Sequence, residues 1–135
     1  MKKTLVLHND IRMIPELAAF VEALAVECAL DERLKAGLNL ALEEAVTNVM
    51  MYAYPAGETG QIEISAGREG ERMVFTVVDS GVPFDPTSVP DADISLGVSE
   101  RPIGGLGIFL VRKLMDEVRY ERAGAKNVLT LVKRI

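Results

Sequence analysis

The chain has little of what metal sites and covalent catalysis usually require. Its 135 residues include one cysteine, one histidine and no tryptophan. Cys28 cannot form an internal disulfide and lies in an amphipathic helical pattern, so we expect it to be a small core residue. A single unpaired cysteine also fits a reducing cytoplasm. His8 stands alone, which excludes a His-based metal cluster and any Ser-His or Cys-His catalytic pair that does not use His8 itself.

Clustered positive charge and long apolar runs are also missing. The net charge is −5 at pH 7 and the Lys and Arg residues are scattered, which argues against binding to a nucleic-acid backbone and favours protein partners. The first apolar stretch stops at His8, too early for a signal peptide, and no segment reaches the ~20 apolar residues of a membrane span. We therefore expect one cytoplasmic domain over residues 1–135, with no membrane and no direct nucleic-acid contact.

The spacing of apolar residues predicts a strand, two helices, a hairpin, a third helix and a second hairpin. Strands are predicted over 4–7, 61–66, 73–78, 118–122 and 128–132, and helices over 14–28, 32–52 and 108–115. Asn9 or Asp10 is the expected cap of the first helix and Asp31 that of the second. This order lacks the regular alternation of a doubly wound sheet. It favours a two-layer α+β fold, with helices packed on one face of a mixed, mostly antiparallel sheet.

A long irregular stretch separates the two hairpins. Residues 80–101 are rich in Gly, Pro, Asp and Ser and are too many for a simple connection, so we predict a functional lid over residues 84–103. Gly104-Gly105-Leu106-Gly107 then opens a helix, where free N–H groups and the positive end of the helix dipole can receive phosphate oxygens. A flexible turn is the plainer alternative. The sequence has no P-loop motif to account for phosphate binding otherwise.

Two polar residues one helical turn apart, Glu44 and Asn48, lie in an otherwise apolar run. Residues four apart share a helix face, and this face also carries Ala41 and Ala45, so both polar groups would need partners in a poorly solvated place. A hydrated cation with a nucleotide phosphate would supply them. Glu44 is then a candidate general base and the Asn48 amide oxygen a hard ligand for Mg²⁺. The alternative is a structural hydrogen-bond pair; the neighbouring Glu43 points elsewhere and should be solvated.

Asp79, Gly81 and Thr130 indicate a second part of the same site. Asp79 ends a predicted strand and enters a tight turn, which is most often structural. An ionised Asp also accepts a hydrogen bond from the exocyclic amine of adenine, and Gly81 would let the backbone approach the ring closely. Thr130 is either an ordinary strand residue or a hydroxyl at the floor of that adenine pocket.

Taken together, these motifs resemble a known superfamily. In order and rough spacing they match the nucleotide-binding boxes of the GHKL ATPases, which include gyrase, histidine kinases and MutL; the matching motifs are Glu44-x-x-x-Asn48, Asp79-x-Gly81, Gly104-Gly105-Leu106-Gly107 and Thr130. Within that superfamily, the stretches 43–48, 79–86, 104–108 and 114–118 closely resemble the small bacterial anti-sigma factor serine kinases. The resemblance covers nearly the whole chain.

The resemblance implies the Bergerat ATP-binding fold. In that fold Asp79 would contact adenine, Asn48 would bind Mg²⁺, Glu44 would act as the base, and the 104–107 turn would hold the phosphates beneath a lid. Two positions depart from the pattern: Pro83 stands where the wider superfamily has a glycine, and Tyr52 where many anti-sigma kinases have His.

The function that the resemblance implies is a serine/threonine protein kinase of a partner-switching system. Such a kinase transfers the γ-phosphate of ATP to a small anti-sigma-factor antagonist and sequesters a sigma factor in exchange; we also allow for a homodimer. Arg101, just before the glycines, is a candidate for contacting the γ-phosphate, with a solvated lid arginine as the alternative. Two rival functions stay open: an ATP-binding regulatory module that phosphorylates nothing, and, less favoured, the catalytic domain of a histidine kinase.

Overall fold

The computed structural model describes residues 2–88 and 105–135. The strands are β1 (Lys2–His8), β2 (Gln61–Glu69), β3 (Arg72–Asp79), β4 (Glu117–Ala123) and β5 (Lys126–Arg134). The helices are α1 (Ile14–Glu27), α2 (Glu32–Tyr52) and α3 (Gly105–Leu114), with short 3-10 turns at Ile11–Met13 and Pro86–Ser88. The predicted bounds of α2 are confirmed at both ends.

The strands form one sheet in the order β1-β2-β3-β5-β4, and every pairing between the described strands is antiparallel. One face of this sheet carries the fully buried side chains and packs against the helices, which confirms the predicted two-layer α+β fold. The sequence predicts a mixed, mostly antiparallel sheet, whereas the described strands include no parallel pair. The core between the layers includes Leu17, Leu24, Leu38, Leu42, Ile62, Ile64, Phe75, Ile108, Val111 and Leu131.

A side-chain cap marks the start of α2 but not that of α1, whose N-cap residue Met13 makes no side-chain hydrogen bond. The side chain of Asp31 accepts a hydrogen bond from the backbone N–H of Leu34 at 2.8 Å, as its position in the sequence predicts. Asp10 instead caps the 3-10 turn by accepting from Arg12 N. Asn9 caps no helix: its Oδ1 accepts from Gly60 N and its Nδ2 donates to the carbonyl of Glu58, which ties β1 to the start of β2.

Candidate nucleotide site

The candidate site begins at Asp79, the last residue of β3, which is 3% exposed. Its Oδ1 accepts two hydrogen bonds, from Gly81 N at 2.8 Å and from Asn127 Nδ2 at 2.9 Å. Its Oδ2 has no donor among the described residues. One oxygen is thus held by the protein while the other is left to accept a hydrogen bond from a ligand.

Asn127 holds Asp79 in this orientation, and the sequence reasoning missed it. Its Nδ2 also donates to the carbonyl of Val82 at 2.8 Å, while its Oδ1 accepts from Tyr120 Oη at 2.5 Å and Phe84 N at 3.2 Å. These partners satisfy both ends of the amide and fix which end faces the carboxylate. Asn127 was assigned to a turn before the last strand, and only the cross-strand pairing of Asp79 with Asn127 would have revealed it.

Thr130 is not at the floor of this pocket, which corrects the prediction. In the β3–β5 register Asp79 pairs with Asn127, whereas Thr130 pairs with Thr76. Side chains alternate between faces along a strand, so Thr130 lies on the sheet face opposite to that of Asp79 and Asn127. Its place beside Val128 and Val132 was predicted correctly, but that whole row faces away from the helices.

Gly81 is required by the fold for a reason other than the predicted approach to a ring. A Cβ atom at this position would lie 2.1 Å from the carbonyl oxygen of Ala53, the residue after α2. The next residue, Val82, donates its backbone N–H to that carbonyl at 2.7 Å. The absent side chain therefore lets the turn after β3 dock against the C-terminal end of α2.

Tyr54 joins the same two segments from the other side. Its hydroxyl donates to the carbonyl of Gln61 at 2.6 Å and accepts from Ser80 N at 3.0 Å. Burial raises the pKa of the Tyr54 phenol, and the nearby Asp79 charge acts in the same direction, against the opposing Ser80 hydrogen bond. The hydroxyl therefore stays protonated and keeps both contacts at neutral pH.

Helix α2 brings Glu44, Asn48 and Tyr52 to one face, each four residues from the next. Asn48 is 6% exposed, and no described residue hydrogen-bonds its amide. Glu44 is half-buried; so is Glu43, contrary to the expectation that Glu43 is solvated. The described residues contain no cluster of three or more His, Cys, Asp or Glu side chains able to hold a metal ion. A Mg²⁺ ion bound at Asn48 would thus depend on oxygens from a ligand or from water.

Tyr52 is the one described side chain whose buried polar atom has no partner. Its ring packs against Phe84 with centroids 5.5 Å apart and planes tilted by 38°. Phe84 in turn donates its N–H to Asn127, so the helix face with Asn48 and the network around Asp79 are joined through one aromatic contact. The sequence marked Tyr52 only as a departure from the related kinases.

The glycine motif and the lid are described only in part. Helix α3 begins at Gly105 and includes Leu106 and Gly107 in its first turn, where backbone N–H groups have no intrahelical acceptor. Gly104 and Arg101 lie outside the described residues, as do residues 89–103 of the lid predicted over 84–103. Its first residues, 84–88, form a folded turn in which Asp85 Oδ1 accepts from Thr87 N.

This fold is a two-layer α+β domain, and the sequence comparison gives its family. The profile of the histidine kinase-like ATPase domain matches residues 7–133. The chain belongs to this family.

Individual relatives carry kinase names. The chain is 36% identical over 91 residues to the serine-protein kinase RsbW of Bacillus licheniformis, covering 62% of this chain and 55% of that protein. It is 26% identical over 112 residues to the serine/threonine-protein kinase BtrW of Bordetella bronchiseptica, covering 83% and 79%. The match spans little more than half of the RsbW protein.

Solved structures confirm the fold. The crystal structure of the RsbU and RsbW domains of a Mycobacterium tuberculosis protein superposes with a TM-score of 0.71 at 18% identity, over 99% of this chain and 32% of that one. The histidine kinase domain of a blue-light-activated kinase from Erythrobacter litoralis gives 0.55 at 18% identity, over 87% and 60%. In the described part of this chain no helix has the length and apolarity needed to span a membrane.

Proposed function

We propose that this chain binds ATP with Mg²⁺ and phosphorylates a serine or threonine of a small anti-sigma-factor antagonist in the cytoplasm, exchanging that partner for a sigma factor. The observation that carries the proposal is the half-occupied carboxylate of Asp79. Oδ1 is fixed by two protein donors and Oδ2 by none of the described residues. A buried acceptor of this kind matches the exocyclic amine of adenine, which brings an N–H donor and no charge.

Asn48 fits the metal part of the proposal. The residue is largely buried and no described residue hydrogen-bonds its amide, so its oxygen is available to a hard cation that also binds nucleotide phosphates. When bound, the ion would neutralise charge on the phosphates. The phosphates themselves would meet the backbone N–H groups in the first turn of α3, which begins at Gly105.

Glu44 fits the role of general base. It lies one turn before Asn48 on the same face of α2 and stays half-exposed, accessible to a substrate hydroxyl. In the proposed step the hydroxyl oxygen attacks the γ-phosphorus, its proton passes to the Glu44 carboxylate, and the bond from phosphorus to the bridging oxygen breaks to leave ADP. Positioning and charge neutralisation supply most of the rate. Arg101 is proposed as a further contact of the γ-phosphate.

The relatives named RsbW and BtrW support protein phosphorylation as the reaction. The experiment combines the purified chain, Mg²⁺, γ-labelled ATP and the small antagonist-like proteins encoded beside its gene. We expect label on a Ser or Thr of one antagonist. If the chain binds ATP but labels none of them, the kinase proposal fails and the ATP-binding regulatory module replaces it; if it binds no ATP, both fail.

A further inference from the structure

A cavity separate from the candidate nucleotide site lies at the opposite end of the helices and strand that build that site. It has a volume of about 450 Å³ and is formed by the N-terminal turns of α2, the C-terminal end of α3 and the last residues of β5. Asn48, the first turn of α3 and Asn127 belong to the opposite ends of these elements. We call this cavity the basic groove, because its charged lining residues are four cations, Arg33, Lys113, Lys133 and Arg134, against one carboxylate, Asp31. Its apolar lining residues include Leu34, Leu38, Leu114 and Ile135.

The positive charge of the basic groove is poorly compensated. Lys133 has one carboxylate near it, Asp116 at 3.9 Å, and Lys113 lies over the ring of Phe109. Neither Arg33 nor Arg134 has a carboxylate within 4.0 Å among the described residues. Four cations at one cleft are unusual in a chain with net charge −5, in which Lys3, Arg12 and Lys35 have close ion pairs.

Arg33 makes the charge distribution more unfavourable still. It is the second residue of α2, within the first helical turn, where the helix dipole disfavours a positive side chain. Lys113, in the last turn of α3, is favourably placed by the same rule. The dipole therefore accounts for Lys113 but opposes Arg33. Asp31 and Glu32 supply negative charge at this end of α2, and a negatively charged ligand in the groove would add to it.

We propose that the basic groove binds an acidic segment of a protein partner, one that places a large apolar side chain on the leucine floor and Asp or Glu side chains against the rim. The apolar floor favours such a segment over a free inorganic anion, since Leu34 and Leu114 are only partly buried without a ligand. The acidic body of the chain opposes a long polyanion such as nucleic acid, whereas a short segment meets only the local charge within a Debye length of about 8 Å.

The test uses a fluorescein-labelled amphipathic peptide of about 18 residues, with Leu on one helical face and Glu on the other. We expect it to bind the full chain in the absence of nucleotide. We also expect the double variant Arg33→Glu, Lys113→Glu to weaken binding about tenfold or more, since rim charges act on both encounter and affinity. The matched control, Arg119→Glu with Lys126→Glu, makes the same change of charge at exposed positions of the β4–β5 hairpin, outside the groove lining, and should stay within about twofold of wild type.

Amide chemical shifts locate the bound peptide. Shifts confined to residues 31–38, 113–114 and 133–135 support the proposal. It is overturned if the Leu-Glu peptide does not bind, if a Leu-Lys peptide binds equally well, or if both double variants weaken binding alike. Concentration-dependent shifts at the groove without any peptide would assign it to a second copy of this chain and also overturn the proposal. No outcome depends on ATP binding, so the result is independent of the proposed kinase activity.

Discussion

Asn127 donates its amide N–H to Oδ1 of Asp79 at 2.9 Å, across a strand pair whose members are 48 residues apart in the sequence. Gly81 N donates to the same oxygen, so two donors fix the plane of the carboxylate. One oxygen is thereby held by the protein, and the other is left for a ligand.

The variant Asp79→Asn tests that arrangement directly. The two donors to Oδ1 would keep the carbonyl oxygen of the new amide in place, so its NH₂ group would replace Oδ2 and face the adenine amine, donor against donor. We expect ATP·Mg affinity to fall by the equivalent of about 1.5–3 kcal/mol, the range for a hydrogen bond to a charged group. Titration calorimetry measures it, and Asp116→Asn, at the other end of the sheet, is the control. Equal affinity for wild type and Asp79→Asn would disprove the adenine assignment.

Asn127 and Thr130 should behave in opposite ways, although both are on β5. Asn127→Ala leaves the hydroxyl of Tyr120 and the backbone of Phe84 and Val82 without their partner, so the free energy of unfolding should fall by roughly 3 kcal/mol, given about 1–3 kcal/mol per unpaired buried group. Thr130→Val keeps the side-chain shape on the other sheet face and should leave the ATP dissociation constant within about twofold. A loss of ATP affinity in Thr130→Val would contradict the observed register.

Two glycine substitutions should change stability with opposite signs. In Gly81→Ala the new methyl group would collide with the Ala53 carbonyl, and we expect a loss of about 1–3 kcal/mol, as for overpacking in general. Gly37 lies within α2, and the nearest atom to an added Cβ is 3.7 Å away in Leu114. Gly37→Ala should therefore gain about 0.5–1 kcal/mol. Urea denaturation measures both, and destabilisation by Gly37→Ala would show that the α2–α3 contact is tighter than described.

Tyrosines 52 and 54 form a matched pair. Tyr54→Phe removes the donor to the Gln61 carbonyl and leaves Ser80 N without an acceptor. The free energy of unfolding should fall by about 1–3 kcal/mol. Tyr52→Phe removes only a buried hydroxyl without a partner and keeps the contact with Phe84, so it should stabilise the ligand-free protein by about 1 kcal/mol. Thermal or chemical unfolding of the ligand-free variants and wild type measures both changes in stability. Destabilisation by Tyr52→Phe would mean that the hydroxyl has a partner, such as ordered water.

Glu44 and Asn48 should separate chemistry from binding. Asn48→Ala removes the proposed Mg²⁺ ligand and should weaken Mg·ATP more than ATP measured without the metal. Glu44→Gln keeps the shape and loses the base, so binding should survive while phosphoryl transfer falls by roughly 10²–10⁴. Calorimetry and transfer of labelled phosphate to the cognate antagonist give the two readouts. Transfer at the wild-type rate by Glu44→Gln would return Glu44 to a structural role.

The sequence predicted local structure well because local signals determine it. Helical spacing and the cap at Asp31 placed α2 at Glu32–Tyr52, and alternation located all five strands. Asp79 was also picked out correctly as a strand-terminal carboxylate, because turn chemistry is local as well.

The errors arose where the answer depends on pairing between distant strands. The face on which Thr130 lies changes with a shift of one residue in register, and nothing within β5 itself specifies the register with β3. Asn127 was missed for the same reason, because its role depends on its hydrogen bond to Asp79 on the paired strand. The need for glycine at position 81 arises from the carbonyl of Ala53, which the sequence alone does not place beside it.

The strand order has a consequence for the time course of folding. The partner of β3 on one side is β2, its neighbour in sequence, but on the other side it is β5, at the end of the described chain. Until β5 docks, Asp79 lacks Asn127, and the turn at Phe84 and Val82 lacks its anchor. Binding of a nucleotide through Asp79 would therefore require β5 to be paired with β3. A bound nucleotide would accordingly stabilise the folded domain as a whole, by a free energy that grows with the logarithm of the ligand concentration once this exceeds the dissociation constant.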